Sequence, residues 1–441
     1  MKPKDSKAIR LSGVLLLLAF ILNCSANPNS EFIKIQNSPS KEKYEQFVKD
    51  FPESPQTLKA KIALEKYNPE ISKSIYKWSS EKDIQVLKEN GRFKDSNSHL
   101  KEVFDSYKSN FKRNYFEGEG GFKIAYDYYE VKGATRAILL SHGTGESSIR
   151  YAEVVYDWIQ NKIPYSIFVI NHRGFGYSER LLGKYRSYNP KWDVYDVKEK
   201  DFLEYRKIHA NEFGDYVKDL DKLVDLIHNE HSIPMITGVG HSLGGGVLIQ
   251  YAGLHPKKLN RLILSAPMAS INGAMGADNY DFVSKALISI GDTFSHEGYT
   301  FGGENFNHLV TPFDTEENTL NFYTTSENRF FMKKYIIQEF PETSLGGLTW
   351  GFADAIYEGV KDIRSSAEKI EIPTTIFQAG NDDYVHPSGQ EKVCSTMNEN
   401  KKGSCNLIRI ENSKHEFFLE RDSIRNRVMD KIMDILLKEE N

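Results

Sequence analysis

The run Gly240-His241-Ser242-Leu243-Gly244 directly follows an apolar stretch, residues 233–239. A Gly-x-Ser-x-Gly run between a strand and a helix makes a turn too tight for side chains beside the serine. It strains the serine backbone and exposes the hydroxyl at the carboxyl end of a sheet. Residues 245–254 are apolar on most faces, as a buried helix is. This order calls for a strand–turn–helix unit and makes Ser242 a candidate nucleophile. An ordinary glycine-rich turn is the alternative.

The rest of the chain repeats the alternation. Segments 122–131, 136–141, 165–170, 234–239, 259–265, 374–378 and 405–410 read as strands, while 149–161 and 213–229 have helical spacing. Interleaved strands and helices predict an α/β fold with a mostly parallel sheet covered on both faces. Function then belongs at the carboxyl ends of the strands. Between Pro267 and Pro373 no strand is legible, and the stretch is rich in Phe and Tyr. It leaves the sheet on the edge that carries Ser242, so 269–369 reads as a cap walling the cleft. A helical decoration with its own small core is the other reading. The core is then split into 116–268 and 370–441. Residues 24–115 are polar, with Pro52, Pro55 and Pro69 interrupting helical patterns at 41–51 and 57–67. They read as a tether followed by a small helical region.

Residues 1–23 read as a leader. Lys2, Lys4, Lys7 and Arg10 precede an apolar run from Leu11 to Leu22, too short to span a membrane comfortably. Cys24 and a polar stretch follow. The arrangement resembles a bacterial lipoprotein signal, with Cys24 as the acylated first residue, although Leu22 and Asn23 stand where small residues are usual. The expectation is an exported protein held to a membrane by a lipid anchor; plain secretion and an uncleaved anchor are the alternatives. Export bears on Cys394 and Cys405, which stand eleven apart and can close a short loop in an oxidising compartment. A disulfide and two free thiols both remain open. The three cysteines form no zinc pattern. A formal net charge of −4 gives no general affinity for nucleic acid and no help toward anionic headgroups.

A serine hydroxyl needs a base to take its proton and a third group to orient that base. In this topology the acid and then the histidine follow the serine. The loop after 374–378 carries two candidate acids, Asp382 and Asp383, and His415 follows the strand at 405–410 by a short loop. His386 is its rival downstream of the cap. An oxyanion needs backbone N–H donors. Leu243 supplies one at a helix amino terminus, and Thr144, between Gly143 and Gly145, supplies the other. For the Thr144 loop, a purely structural turn is the alternative.

Several motifs now fall into one order. They include His142-Gly-Thr-Gly-Glu-Ser-x-x-Arg150-Tyr151, Asn171-His-Arg-Gly-Phe-Gly-Tyr-Ser178, Gly240-His-Ser-Leu-Gly-Gly245, Ser265-Ala-Pro-Met268, Gly346-Gly-Leu-Thr-Trp350 and His415-Glu-Phe-Phe-Leu-Glu420. Over residues 116 to 435 the chain resembles the serine hydrolases grouped as monoacylglycerol lipases and lysophospholipases, most of all the bacterial lysophospholipase L2 branch. The resemblance implies an α/β-hydrolase fold with a cap and single-chain glycerolipid substrates. It implies Ser242 as nucleophile, His415 as base, Thr144 and Leu243 as oxyanion donors, and Asp382 as acid, because Val385 follows it by three positions. Asp383 is the alternative when the motif is set on Gly380. Asn171 stands where the family usually has aspartate. The chemistry expected is ester cleavage through an acyl-enzyme, without metal or organic cofactor. A short-chain carboxylesterase, or a catalytically idle lipoprotein that binds a lipid or a partner, are the rival readings.

Overall fold

A computed structural model describes residues 27–52, 54–65, 74–196, 198–271, 282–305, 307–313 and 323–437. Cys24 lies outside the described residues. The chain divides into two compact units: of the described residues, those up to 65 belong to the first and those from 74 onward to the second.

The first unit holds the helices Pro28–Asn37, Lys41–Asp50 and Pro55–Glu65. Asn27 and Ser40 cap the first two by accepting from backbone N–H groups of Asn29 and Lys43. Phe32, Tyr44, Phe47 and Ala60 are buried together. The expected tether therefore gives way to helix from Pro28, because a few aromatic contacts suffice to hold three short helices.

In the second unit, β1 (Val86–Glu89) and β2 (Arg92–Asp95) form an antiparallel hairpin, followed by the helix His99–Asn110. This stretch corrects the helical reading of 24–115. The hairpin is charged, and burial falls on Val86 and Phe93, so it carries no continuous alternating signal.

Among the described residues the main sheet has eight strands. These are β3 (Lys112–Glu117), β4 (Lys123–Tyr129), β5 (Arg136–Ser141), β6 (Ser166–Ile170), β7 (Met235–His241), β8 (Arg261–Ser265), β9 (Thr374–Ala379) and β10 (Cys405–Ile410). Their order is β10-β9-β8-β7-β5-β6-β4-β3. All neighbours from β10 to β6 run parallel; β4 and β3 are antiparallel. The expected start at residue 116 moves, since β3 begins at Lys112 and the hairpin belongs to the same unit.

Alternation along β5 assigns its two faces. Ile138 and Leu140 join one apolar layer, with Trp158 and Ile432 from the helices Ala152–Gln160 and Asp422–Leu437. Ala137 and Leu139 join the other, with Leu220 and Leu248 from Gly214–Asn229 and Ser242–Leu254. Each fully buried aliphatic or aromatic side chain contributes about 1.5–3 kcal/mol, which pins the register of the central strands. Cys394, on the helix Pro387–Asn400, is disulfide-bonded to Cys405 at the start of β10.

Residues 269–369 carry the helices Phe282–Ser295, Glu327–Glu339 and Trp350–Ser366, and no strand of the sheet among the described residues. Ile208, in the connection between β6 and the helix Gly214–Asn229, forms a bridge with Leu348 of that segment. Arg206 Nη2 donates to Leu345 O at 3.0 Å. No described helix is long and apolar enough to cross a membrane.

Candidate active site

The carboxyl ends of β5, β7, β9 and β10 share one edge of the sheet, and each feeds a loop of the site. β7 ends at His241, and Ser242 opens the next helix at φ +50°. That left-handed conformation is costly for a residue with a side chain and marks a strained turn. The turn tolerates nothing larger than glycine at residue 244, where a Cβ would lie 2.2 Å from Ser141 O. Close approach of helix to strand is thus built into the Gly-x-Ser-x-Gly run.

His415 follows β10, and its Nε2 lies 2.9 Å from Ser242 Oγ. Its Nδ1 lies 2.8 Å from Asp382 Oδ2. The other oxygen of Asp382 accepts the backbone N–H groups of Tyr384 and Val385, each at 2.9 Å. Burial works against ionising Asp382. The His415 charge, its hydrogen bond and the two N–H donors outweigh this and hold the carboxyl below its usual range. Burial likewise depresses the His415 imidazole, yet Asp382, with help from Glu416 and Glu146, leaves it raised overall. Asp383 is different: burial raises its carboxyl. His386, the rival base, instead faces Ser388 Oγ at 2.8 Å.

Thr144 and Ser242 line one cavity of about 410 Å³, together with His415, Tyr384 and Val385. Leu243 is fully buried in the first turn of its helix, where backbone N–H groups lack partners within the helix. The segment 269–369 also lines this cavity, with Phe301, Leu348, Tyr323 and Lys333, as does Ile208.

The family model described as serine aminopeptidase, S33, matches residues 132–422. The chain belongs to that family. It is 25% identical over 331 residues to the probable lysophospholipase L2 of Haemophilus influenzae, covering 74% of this chain and 92% of that one. It is 22% identical to lysophospholipase L2 of Escherichia coli (strain K12), over 72% of this chain and 85% of the other. Among solved structures, a soluble variant of the monoglyceride lipase of Saccharomyces cerevisiae superposes with a TM-score of 0.50 at 18% identity, covering 74% of this chain and 96% of that one. The fold is that of an α/β hydrolase.

In this serine hydrolase a buried polar cluster lies behind the histidine, and sequence reasoning did not assign it. Glu146 accepts from the N–H of Gly143 at 2.9 Å and the O–H of Tyr151 at 2.6 Å. Arg150 pairs with Glu416 and lies 3.7 Å from Glu146. The His241 ring lies tilted against the His415 ring, centres 4.8 Å apart, with its Nε2 3.7 Å from Glu146. Burial disfavours the Glu146 carboxylate, but Arg150 and His241 keep it well below the usual range. Glu146, His241 and Glu416 are close enough to share a cation; the Arg150 guanidinium already lies against both carboxylates. The signal was present, since these residues sit inside the motifs around His142 and His415, but motif membership says nothing about pairing.

Asn171 is fully buried and binds Ser148 twice, accepting its N–H at 3.0 Å and facing its hydroxyl at 3.1 Å. The Ser148 hydroxyl donates to Asp127 at 2.7 Å. A neutral amide suits this position because Asp127 already supplies the negative charge.

Proposed function

We propose that the chain hydrolyses the acyl ester of a single-chain glycerolipid, a lysophospholipid or a monoacylglycerol, through an acyl-enzyme. The observation that carries this reading is the unbroken Asp382–His415–Ser242 hydrogen-bond chain opening on a largely apolar cavity. Ser242 Oγ attacks the ester carbonyl as His415 Nε2 takes its proton. The N–H groups of Thr144 and Leu243 receive the oxyanion. The C–O bond breaks and the alcohol leaves with the proton from His415. Water then attacks the acyl-serine, giving its proton to His415; the acyl–Oγ bond breaks, His415 returns the proton to Ser242 Oγ, and the fatty acid departs. Asp382 holds the imidazole tautomer and stabilises the imidazolium.

An exposed apolar face supports a lipid substrate. Leu287, Ile290 and Phe294 recur at helical spacing on Phe282–Ser295 and are exposed, as is Phe301. The Phe301 ring meets Trp350 at 5.2 Å, and Trp350 closes on Gly291 of that helix. Apolar surface of this kind marks contact with lipid or protein.

The test is labelling with a fluorophosphonate probe, then turnover of lysophospholipids, monoacylglycerols and short soluble esters. The expected result is labelling at Ser242 and preference for the lipids. An unlabelled serine, or turnover of short esters alone, defeats the proposal.

Export and a lipid anchor at Cys24 belong to the same proposal. The basic, apolar and cysteine-ended leader supports it, and so does a disulfide, which persists in oxidising compartments. Cys24→Ser is expected to move the protein from the membrane fraction to the soluble one. Unchanged fractionation rejects the anchor.

A further inference from the structure

Lys333 lies on the helix Glu327–Glu339, is only 5% exposed, and lines the cavity that holds Ser242. Its Nζ stands 3.4 Å from the centre of the Tyr323 ring. Among the described residues that amine makes no hydrogen bond and no ion pair. An ammonium buried in this way is poorly solvated and invites an anion.

The charges around it do not meet that demand. Arg150, Glu416 and Glu146 face it from the loops, and Lys334 adjoins it on its own helix. Glu416 is engaged by Arg150. Glu146 is engaged by Tyr151 and Gly143. Lys334 turns to the carbonyls of Leu309 and Thr311. His308 is held neutral, chiefly by burial and by Lys333 itself. Burial, with repulsion from Arg150, pushes the Lys333 amine down to about 7 even with Glu416 and Glu146 nearby.

We propose that Lys333 is an anion subsite that binds the phosphate of a single-chain glycerophospholipid while its ester lies at Ser242. This rests on the ester-hydrolase reading above and narrows it. A monoacylglycerol presents only neutral hydroxyls at that wall, whereas a lysophospholipid presents one phosphodiester charge. The apolar remainder of the cavity takes the acyl chain, and the cap helix reads the headgroup.

The test compares oleoyl-lysophosphatidylglycerol with monooleoylglycerol, both kept monomeric, in the full chain, Lys333→Met and Lys333→Arg. Wild type is expected to favour the phospholipid. In Lys333→Met, kcat/KM for the phospholipid should fall about tenfold or more beyond any fall for the neutral lipid. Lys333→Arg should restore most of the difference. Fluorophosphonate labelling of each variant checks that the site is folded. Equal losses on both lipids, or none, overturn the subsite while leaving the esterase intact. Failure of wild type to cleave either lipid overturns the parent reading instead. In a third arm, inorganic phosphate competes against a short neutral ester. Inhibition that depends on Lys333, with no lipid preference, would assign the site to a free anion and overturn the headgroup proposal.

Discussion

Arg150 and Glu416 form a buried ion pair that ties the loop after β5 to the residue next to His415. The same guanidinium lies beside Glu146, which holds the N–H of Gly143. One arginine thus braces the loop of the candidate oxyanion donor Thr144 against the loop of the candidate base. Arg150→Met should leave two buried carboxylates without their cation and destabilise the second unit by about 3–5 kcal/mol. Denaturant unfolding measures this, and a loss under 1 kcal/mol contradicts the bracing role.

Asp382, not Asp383, is hydrogen-bonded to His415. Asp382→Asn is expected to lower kcat about a thousandfold or more, through loss of the tautomer and of imidazolium stabilisation. Asp383→Asn should stay within about threefold, since no hydrogen bond to His415 is lost. Kinetics on one ester separates the two, and a reversed order would transfer the role to Asp383.

The same pair sets the pH dependence. A general base works only when neutral, and the His415 pKa is raised above the ordinary value of about 6.5. Activity should therefore fall as pH drops through a value above 6.5 and level off at higher pH. In Asp382→Asn the charge and hydrogen bond that raise this pKa are gone, so the acid limb of the residual kcat/KM should move to lower pH. A limb that stays in place breaks the assignment.

Ser242 carries a side chain at φ +50°, a conformation glycine adopts without penalty. Ser242→Gly should abolish fluorophosphonate labelling and also stabilise the fold by about 1 kcal/mol. A destabilised variant would show that the serine is not strained. Calorimetry or denaturant titration decides.

The exposed face on Phe282–Ser295 should matter only for aggregated substrate. Ile290→Asp with Phe294→Asp is expected to lower hydrolysis of a vesicle-borne lipid by at least about tenfold, since burying even one of these side chains in lipid contributes roughly 1.5–3 kcal/mol. Hydrolysis of a short soluble ester should change less than about twofold. Equal effects on both substrates would point to a structural role for that helix.

Local signals carried much of this chain. The strand runs are legible because both faces of a central strand are buried, and the Gly-x-Ser-x-Gly turn is legible because its sterics are confined to a few neighbouring residues. The order of acid and histidine follows from topology once those units are seen. Other features depend on partners distant in the chain. The two adjacent aspartates are chemically alike, and the fold chooses Asp382 by turning it toward His415, with the N–H groups of Tyr384 and Val385 on its other oxygen. The β1–β2 hairpin is charged and finds its apolar contacts only in the folded unit. Lys333 and Lys334 are both buried, which nothing in their local sequence marks. Where a charge lies depends on what packs over it, and for Lys333 the charged neighbours beyond its own helix come from two loops distant in the chain, one carrying Glu146 and Arg150 and the other Glu416. Sequence order names the groups capable of chemistry. Only the packed tertiary structure decides which charges lose their water, and so which are left to meet a ligand.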